Sequence, residues 1–453
     1  MDTVYAIKSI GAIYTRIACS FLSSDCAILL NMRRFACLFA ACVMPALALF
    51  AQEGWIGTWN GALVLSEGTM EFSLTVGSSG ALLDLPSQNL YGYPSAVLNL
   101  SSDTLQAAWL FGGGQFLLTA SKDSGGASGR YGQGGASGTF TMSRLGTSRR
   151  AGSDLSFTAA DGAILPGTLL VPPLASGGTK PPLLILHAAL GYADRDGNSY
   201  SIAGRNDALS QLASALASLG VASYRYDKRG SGMASWLVAK ESDSRFTPWV
   251  EDLSACIDFF ARDGRFSSVW VLGMNDGALV AAQAALASRL ESGLIIACAS
   301  ADSPRDAYEE AVASAPAEQQ AEGQAILAAL NSGRIVSSPS AFYAVAFRES
   351  LQPYLADAFK YDLETQLRAY TGSVLIIQGD RDMQATFSDF TALGNAKPDA
   401  IGAVVPLMNH VLKTVPPNVD LNNLAFSDPS FPLADGLAQL IAHTLGLDVA
   451  VPF

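Results

Sequence analysis

Three short stretches of this chain carry residue types that could do chemistry together. Val269-Trp-Val-Leu-Gly-Met-Asn-Asp-Gly-Ala-Leu279 reads as an apolar strand, a tight turn between glycines, and a helix start. Gly273 and Gly277 let strand and helix approach closely around a residue in a strained turn, its side chain raised above a sheet. Where a Gly-x-Ser-x-Gly string would present a serine there, this chain has Asn275. Further on, Val374-Leu-Ile-Ile-Gln-Gly-Asp-Arg-Asp-Met-Gln384 sets two carboxylates just past another apolar strand, and Met408-Asn-His-Val-Leu-Lys413 sets a histidine after the next. An imidazole that moves protons needs a carboxylate on its far nitrogen to fix its tautomer and steady its charged form. We assign that carboxylate to Asp382 in preference to Asp380, and the imidazole to His410. Singly these are a glycine turn, a turn aspartate and a loop histidine; at strand ends and in this order they describe a site.

The chemistry of Asn275 breaks the pattern. A carboxamide has no ionisable proton for His410 to remove and is a poor nucleophile, so the acyl-enzyme route is closed. The backbone loses little, because asparagine tolerates positive φ better than most non-glycine residues. Asp276 is out of register to act as the nucleophile, and is expected at the helix start, where a carboxylate suits the unpaired amides.

Positioning such residues takes a strand-and-helix frame. Phe157–Val171, Leu183–His187, Val221–Tyr226, Ser268–Leu272, Leu294–Cys298, Val374–Gln378 and Ala403–Val405 read as strands, with helices over Ala203–Leu219, Pro248–Phe260 and Asp276–Leu290 between several of them. That alternation predicts a mostly parallel sheet covered on both faces. An alanine- and glutamate-rich insert from Pro304 to about Gln366 has the place of a helical lid; its Phe342, Tyr343, Phe347, Tyr354 and Tyr361 either line a pocket for an apolar acyl group or pack the lid onto the sheet. Ahead of this frame, Trp55 to about Leu145 alternates apolar and polar residues between glycine and serine breaks, which predicts an antiparallel meander or small barrel. The expected organisation is a leader over 1–51, the β-rich part over 52–146, a polar linker over 147–152, and an α/β domain over 153–453 with its lid at about 304–366.

Over about residues 154–446 the chain resembles the α/β hydrolases grouped with secreted esterases and serine aminopeptidase-like proteins. The resemblance rests on Asp161-Gly, Asp194-Arg-Asp-Gly-Asn198, Arg225-Tyr-Asp-Lys-Arg-Gly-Ser-Gly232, Gln378-Gly-Asp-Arg-Asp-Met-Gln384 and Asn409-His-Val-Leu-Lys413. It implies an α/β-hydrolase fold, hydrolysis of esters or related acyl compounds, no cofactor, the acid at Asp382 and the histidine at His410. It also implies an oxyanion hole near Ala189-Leu190-Gly191 and the residue after the elbow, hence at Leu190 and Asp276. Ala189-Leu190 stands where relatives usually show glycine and serine, which would make that loop less open. Lys228 and Arg229 are expected to position their loop and pair with carboxylates such as Asp194 or Asp196, His187 to lie near the site outside the triad, and His443 to lie on the final helix away from it.

Composition sets the outer bounds. The chain has 453 residues, 49% hydrophobic and 15% charged, which fits two packed domains better than one. A net charge of −12 without a basic cluster gives no footprint for nucleic acid or an anionic membrane. Met32-Arg33-Arg34 followed by an uncharged run to Ala51 reads as a signal peptide with its start at Met32 and cleavage after Ala46-Leu47-Ala48 or Leu49-Phe50-Ala51. The stretch before Cys42 is short for a lipid anchor, and none is expected. Past the leader only Cys256 and Cys298 remain, both in apolar segments that suit buried free thiols, and three histidines leave no metal-binding spacing. Two functions follow as expectations: an exported protein that keeps a pocket for a small ester or acyl-type ligand without turning it over, or a hydrolase still working through His410 and Asp382 by a modified mechanism. Oligomeric state is left open, and no membrane span is expected in the mature chain.

Overall fold

A computed structural model describes residues 54–453 apart from 67, 78–79, 89, 112–113, 124–125, 145–151, 174–178, 190, 192 and 200–203. The signal peptide, Met32, Cys42 and Leu190 lie outside the described residues. Residues Ile56–Asn99 and Asp103–Phe453 form one compact unit.

The glycine-punctuated first part folds as nine strands: β1 Gly57–Leu65, β2 Gly68–Val76, β3 Ala81–Leu85, β4 Leu90–Pro94, β5 Val97–Leu100, β6 Thr104–Phe111, β7 Gly114–Lys122, β8 Ala127–Gln133 and β9 Ala136–Arg144. They run β4-β3-β2-β1-β9-β8-β7-β6-β5, with antiparallel pairing from β4 through to β6, in an all-β half-barrel. Strict alternation drives it: along β7, Phe116, Leu118 and Ala120 are buried while their neighbours face out.

The second sheet has eight strands: β10 Ser153–Thr158, β11 Ile164–Leu170, β12 Leu183–His187, β13 Ala222–Tyr226, β14 Val269–Met274, β15 Gly293–Ala297, β16 Ser373–Gly379 and β17 Ile401–Val405. Their order is β10-β11-β13-β12-β14-β15-β16-β17, antiparallel as far as β13 and parallel beyond it. The apolar run Phe157–Val171, expected as one strand, is two: Asp161-Gly162 turns the chain, with Gly162 at φ 88° and the Ala163 amide donating to Asp161 Oδ1 at 3.0 Å.

Ten helices are described: α1 Ala208–Ser218, α2 Thr247–Ala261, α3 Gly277–Ala287, α4 Pro304–Ala313, α5 Ala317–Asn331, α6 Gln352–Ala358, α7 Leu363–Ala369, α8 Phe387–Ala396, α9 Val419–Leu424 and α10 Leu437–Thr444. The central strands are buried on both faces, which is why they read as unbroken apolar runs. Leu183, Ile185, Val269, Val271, Val374 and Ile376 join one core with α2, α3 and α7, while Leu184, Leu186, Trp270, Leu272, Leu375 and Ile377 join the other with α1 and α10.

The insert between β15 and β16 carries α4 to α7. Val312, Ile326, Leu330, Tyr343, Phe347 and Leu355 give it a small core of its own. No helix among the described residues is long and apolar enough to cross a membrane.

Candidate functional site

At the end of β14 the chain turns sharply into α3. A Cβ on Gly273 would lie 2.5 Å from Ala278 Cα, and one on Gly277 would lie 2.5 Å from the Ala188 carbonyl oxygen, so neither position admits a side chain without backbone movement. Between them Asn275 takes the left-handed conformation, φ 53°. Its amide donates to the Ala297 carbonyl at 2.9 Å, and its own carbonyl accepts from Ala278 at 2.9 Å. Its side-chain Oδ1 is buried, with no hydrogen-bond partner among the described residues.

The acid and the histidine come from the next two strand ends. Asp382, its side chain fully buried, accepts the Gln384 and Ala385 amides at 2.8 and 3.0 Å. His410 Nδ1 lies 2.9 Å from both Asp382 oxygens, and Phe426 stacks near its ring at 6.3 Å. Asp380 is exposed, beside Arg381. Cys298 at φ 52°, Leu407 at 57° and Leu412 at 63° join Asn275 in the left-handed region. Outside glycine this conformation costs about 1–2 kcal/mol per residue, and of these residues Asn275 and Cys298 border the site.

Two cavities meet at Asn275. One, of about 510 Å³, is lined by Asn275, Asp276, His410, Cys298, Asn206 and Phe426 among others. The other, of about 470 Å³, lies on the lid side, with Asn275, Asp276, Trp249, Tyr308, Tyr354 and Leu355 among its walls. Gly191 and Ser300 also belong to both. Asp276 stands at the helix start as expected, in the cap position of α3, but its side chain makes no capping hydrogen bond and faces the cavities instead. Burial holds its carboxyl above the usual carboxylate range, opposed by His410 and Lys228. Ala189 and Gly191 line the His410 cavity on either side of Leu190.

The family profile described as "Serine aminopeptidase, S33" matches residues 203–338, which span α1, the elbow and the start of the lid. Among solved structures, Est1E from Butyrivibrio proteoclasticus is similar at 16% identity, with 64% of this chain and 95% of that one covered and a TM-score of 0.40. An esterase domain from Rhodothermus marinus is similar at 15% identity, with 60% and 94% covered and a TM-score of 0.37. Proline iminopeptidase from Mycobacterium smegmatis is similar at 18% identity, with 57% and 92% covered and a TM-score of 0.37. No curated protein matches the chain significantly. The fold is that of the α/β hydrolases.

Within this α/β-hydrolase frame other expected residues find their places. Lys228 is fully buried, and its Nζ donates to the Ala189 carbonyl and, at 3.5 Å, to that of Ala188, tying down the segment before Leu190. Burial pushes its pKa down to about 7, against the pull of Asp276 and Asp194. Arg229 does not pair with Asp194 or Asp196. It bridges Asp252 at 2.6 Å and Asp161 at 2.7 Å, joining the β10–β11 turn to α2. Asp194 instead accepts the Asp196 and Asn198 amides of its own loop, and Asp196 pairs with Arg225 at 2.8 Å. His187, at the end of β12, shares a 3.0 Å hydrogen bond with Tyr226; burial, and then the Lys228 charge, keep its pKa well below the ordinary histidine value. His443 is exposed on α10 and lines neither cavity.

Of the five lid aromatics singled out from sequence, only Tyr354 lines the lid-side cavity. Tyr343 and Phe347 fill the lid core, Tyr361 packs on Phe246 at 4.6 Å, and Phe342 is exposed. Sequence reasoning missed Trp249 and Tyr308, which carry no motif; an aromatic at the start of α2 and another in the first lid helix were the available signals. Cys256 and Cys298 are both free and buried. Among the described residues, no group of His, Cys, Asp and Glu could hold a metal ion.

Proposed function

We propose that this α/β-hydrolase-fold protein is an exported binding protein for a small ester or acyl-type ligand, in which Asn275 has closed the acyl-enzyme route. The observation that carries the reading is Asn275 itself. It stands where the strand-to-helix turn presents a side chain to both cavities, and a carboxamide cannot be activated by proton removal. The His410–Asp382 pair, at 2.9 Å, then acts as a polar wall, with an imidazole held in one orientation to hydrogen-bond a ligand carbonyl or hydroxyl. Export rests on Met32-Arg33-Arg34 and the uncharged run after it.

That same pair favours a second reading, in which His410 activates a water for direct attack on a bound ester. An ester panel with the mature protein and its Asn275→Ser variant separates the two. The binding reading expects no fluorophosphonate labelling and no p-nitrophenyl ester turnover above background in the wild type, with labelling appearing in Asn275→Ser. Steady wild-type turnover without labelling, abolished by His410→Ala, would establish the second reading and end the first.

A further inference from the structure

The inference concerns the charge of the ligand and rests on the ligand-binding reading above. The lid-side cavity is walled by the rings of Trp249, Tyr308 and Tyr354 and by Leu279, Leu351 and Leu355. Four charged side chains line it: Glu241, Asp276, Asp302 and Arg348. The single cation is engaged already, because Arg348 is bidentate on Glu241 and also donates to the Val345 carbonyl at 2.8 Å. Lys228, behind the wall, spends its Nζ on backbone carbonyls and sits 5.6 Å from the Trp249 ring. Asp276 is different. It has neither a capping hydrogen bond nor an ion pair, is open to the cavity, and stands beside Asn275 where both cavities meet.

We propose that Asp276 is the specificity-determining residue of this site and selects an organic cation, whose charged nitrogen sits between the Asp276 carboxylate and the Tyr354 ring while its apolar body runs under the lid. Three physical arguments converge. An unengaged carboxylate on the wall of a concave, aromatic-lined site gains from a cation that pairs with it there. Aromatic faces attract cations and tolerate no anion so well. Asp302, also on the cavity wall, lies in a field made more negative by Asp389, Glu310, Asp306 and Glu364, which repels anionic ligands and draws cations in.

The test compares two probes of one shape, 3-phenylpropylammonium and 3-phenylpropanol, by calorimetry on the mature protein at low and moderate salt. Wild type should bind the ammonium at least about tenfold more tightly than the alcohol, a ratio in the range of a charge-assisted, partly desolvated contact. In Asp276→Asn the ratio should fall to near one, with thermal unfolding recorded to show that the variant is folded. Alcohol binding with no ammonium preference would overturn the charge inference and leave the binding reading standing. An ammonium preference that survives Asp276→Asn would overturn the assignment to Asp276. Failure of both probes at millimolar concentration would count against both readings.

Discussion

Asn275→Gly should stabilise the protein, and the size of the gain follows from three contributions. First, the residue sits at φ 53°, which glycine adopts freely; relief of the left-handed conformation is worth about 1 kcal/mol for asparagine, at the low end of the range for residues with a Cβ. Second, glycine has more freedom in the unfolded chain, which opposes this by about 0.5–1 kcal/mol. Those two nearly cancel. Third, the buried Oδ1 has no hydrogen-bond partner among the described residues, and an orphaned buried polar atom costs about 1–3 kcal/mol. Removing it, less some packing lost from a side chain that borders open cavity, leaves a net gain of about 1–2 kcal/mol. Asn275→Ala is the internal control: it also removes the orphan but keeps the left-handed strain, and should gain less. Urea titration followed by tryptophan fluorescence gives the midpoints, and equal slopes would show that only stability has changed. If Asn275→Gly unfolds at lower urea than wild type, contacts of the Asn275 side chain outweigh both the orphaned oxygen and the left-handed strain, which would refute the expected gain.

Two further outcomes are expected. Lys228 has a folded pKa pushed down to about 7, so between about pH 7 and 10 the unfolded chain binds the extra proton and wild-type stability should rise with pH. Lys228→Met should lack that rise in urea titrations at pH 7, 8 and 9, and identical pH slopes for the two proteins would contradict the burial argument. Protein recovered from the exported fraction should begin near Leu49 or Gln52 by N-terminal sequencing, and a chain still including Met32 would refute the signal-peptide reading.

The frame was legible because its signals are local and repeated. A strand buried on both faces must be apolar throughout, and Leu183–His187 and Val374–Gln378 say so without help. The elbow could be read because two glycines four residues apart are forced by close backbone approach. What failed was partner choice. Arg229 meets Asp161 and Asp252 because β11 lies antiparallel to β13, bringing a hairpin turn some seventy residues earlier against the loop after β13; proximity in sequence to Asp194 carried no such information. Asp276 was read as a helix cap from its position alone. Whether a carboxylate folds back on its helix or leans into a cavity depends on the space beside it, and that space is made by the lid.

The two cavities share Gly191, Asn275, Asp276 and Ser300, which makes Asn275 part of a doorway as well as a wall. On the ligand-binding reading, a compact side chain there leaves the two lobes connected, and binding should saturate at one equivalent. A bulky one, as in Asn275→Phe, would partition the space into separate chambers, each large enough for its own small molecule, and would change the stoichiometry of the protein before it changed anything else.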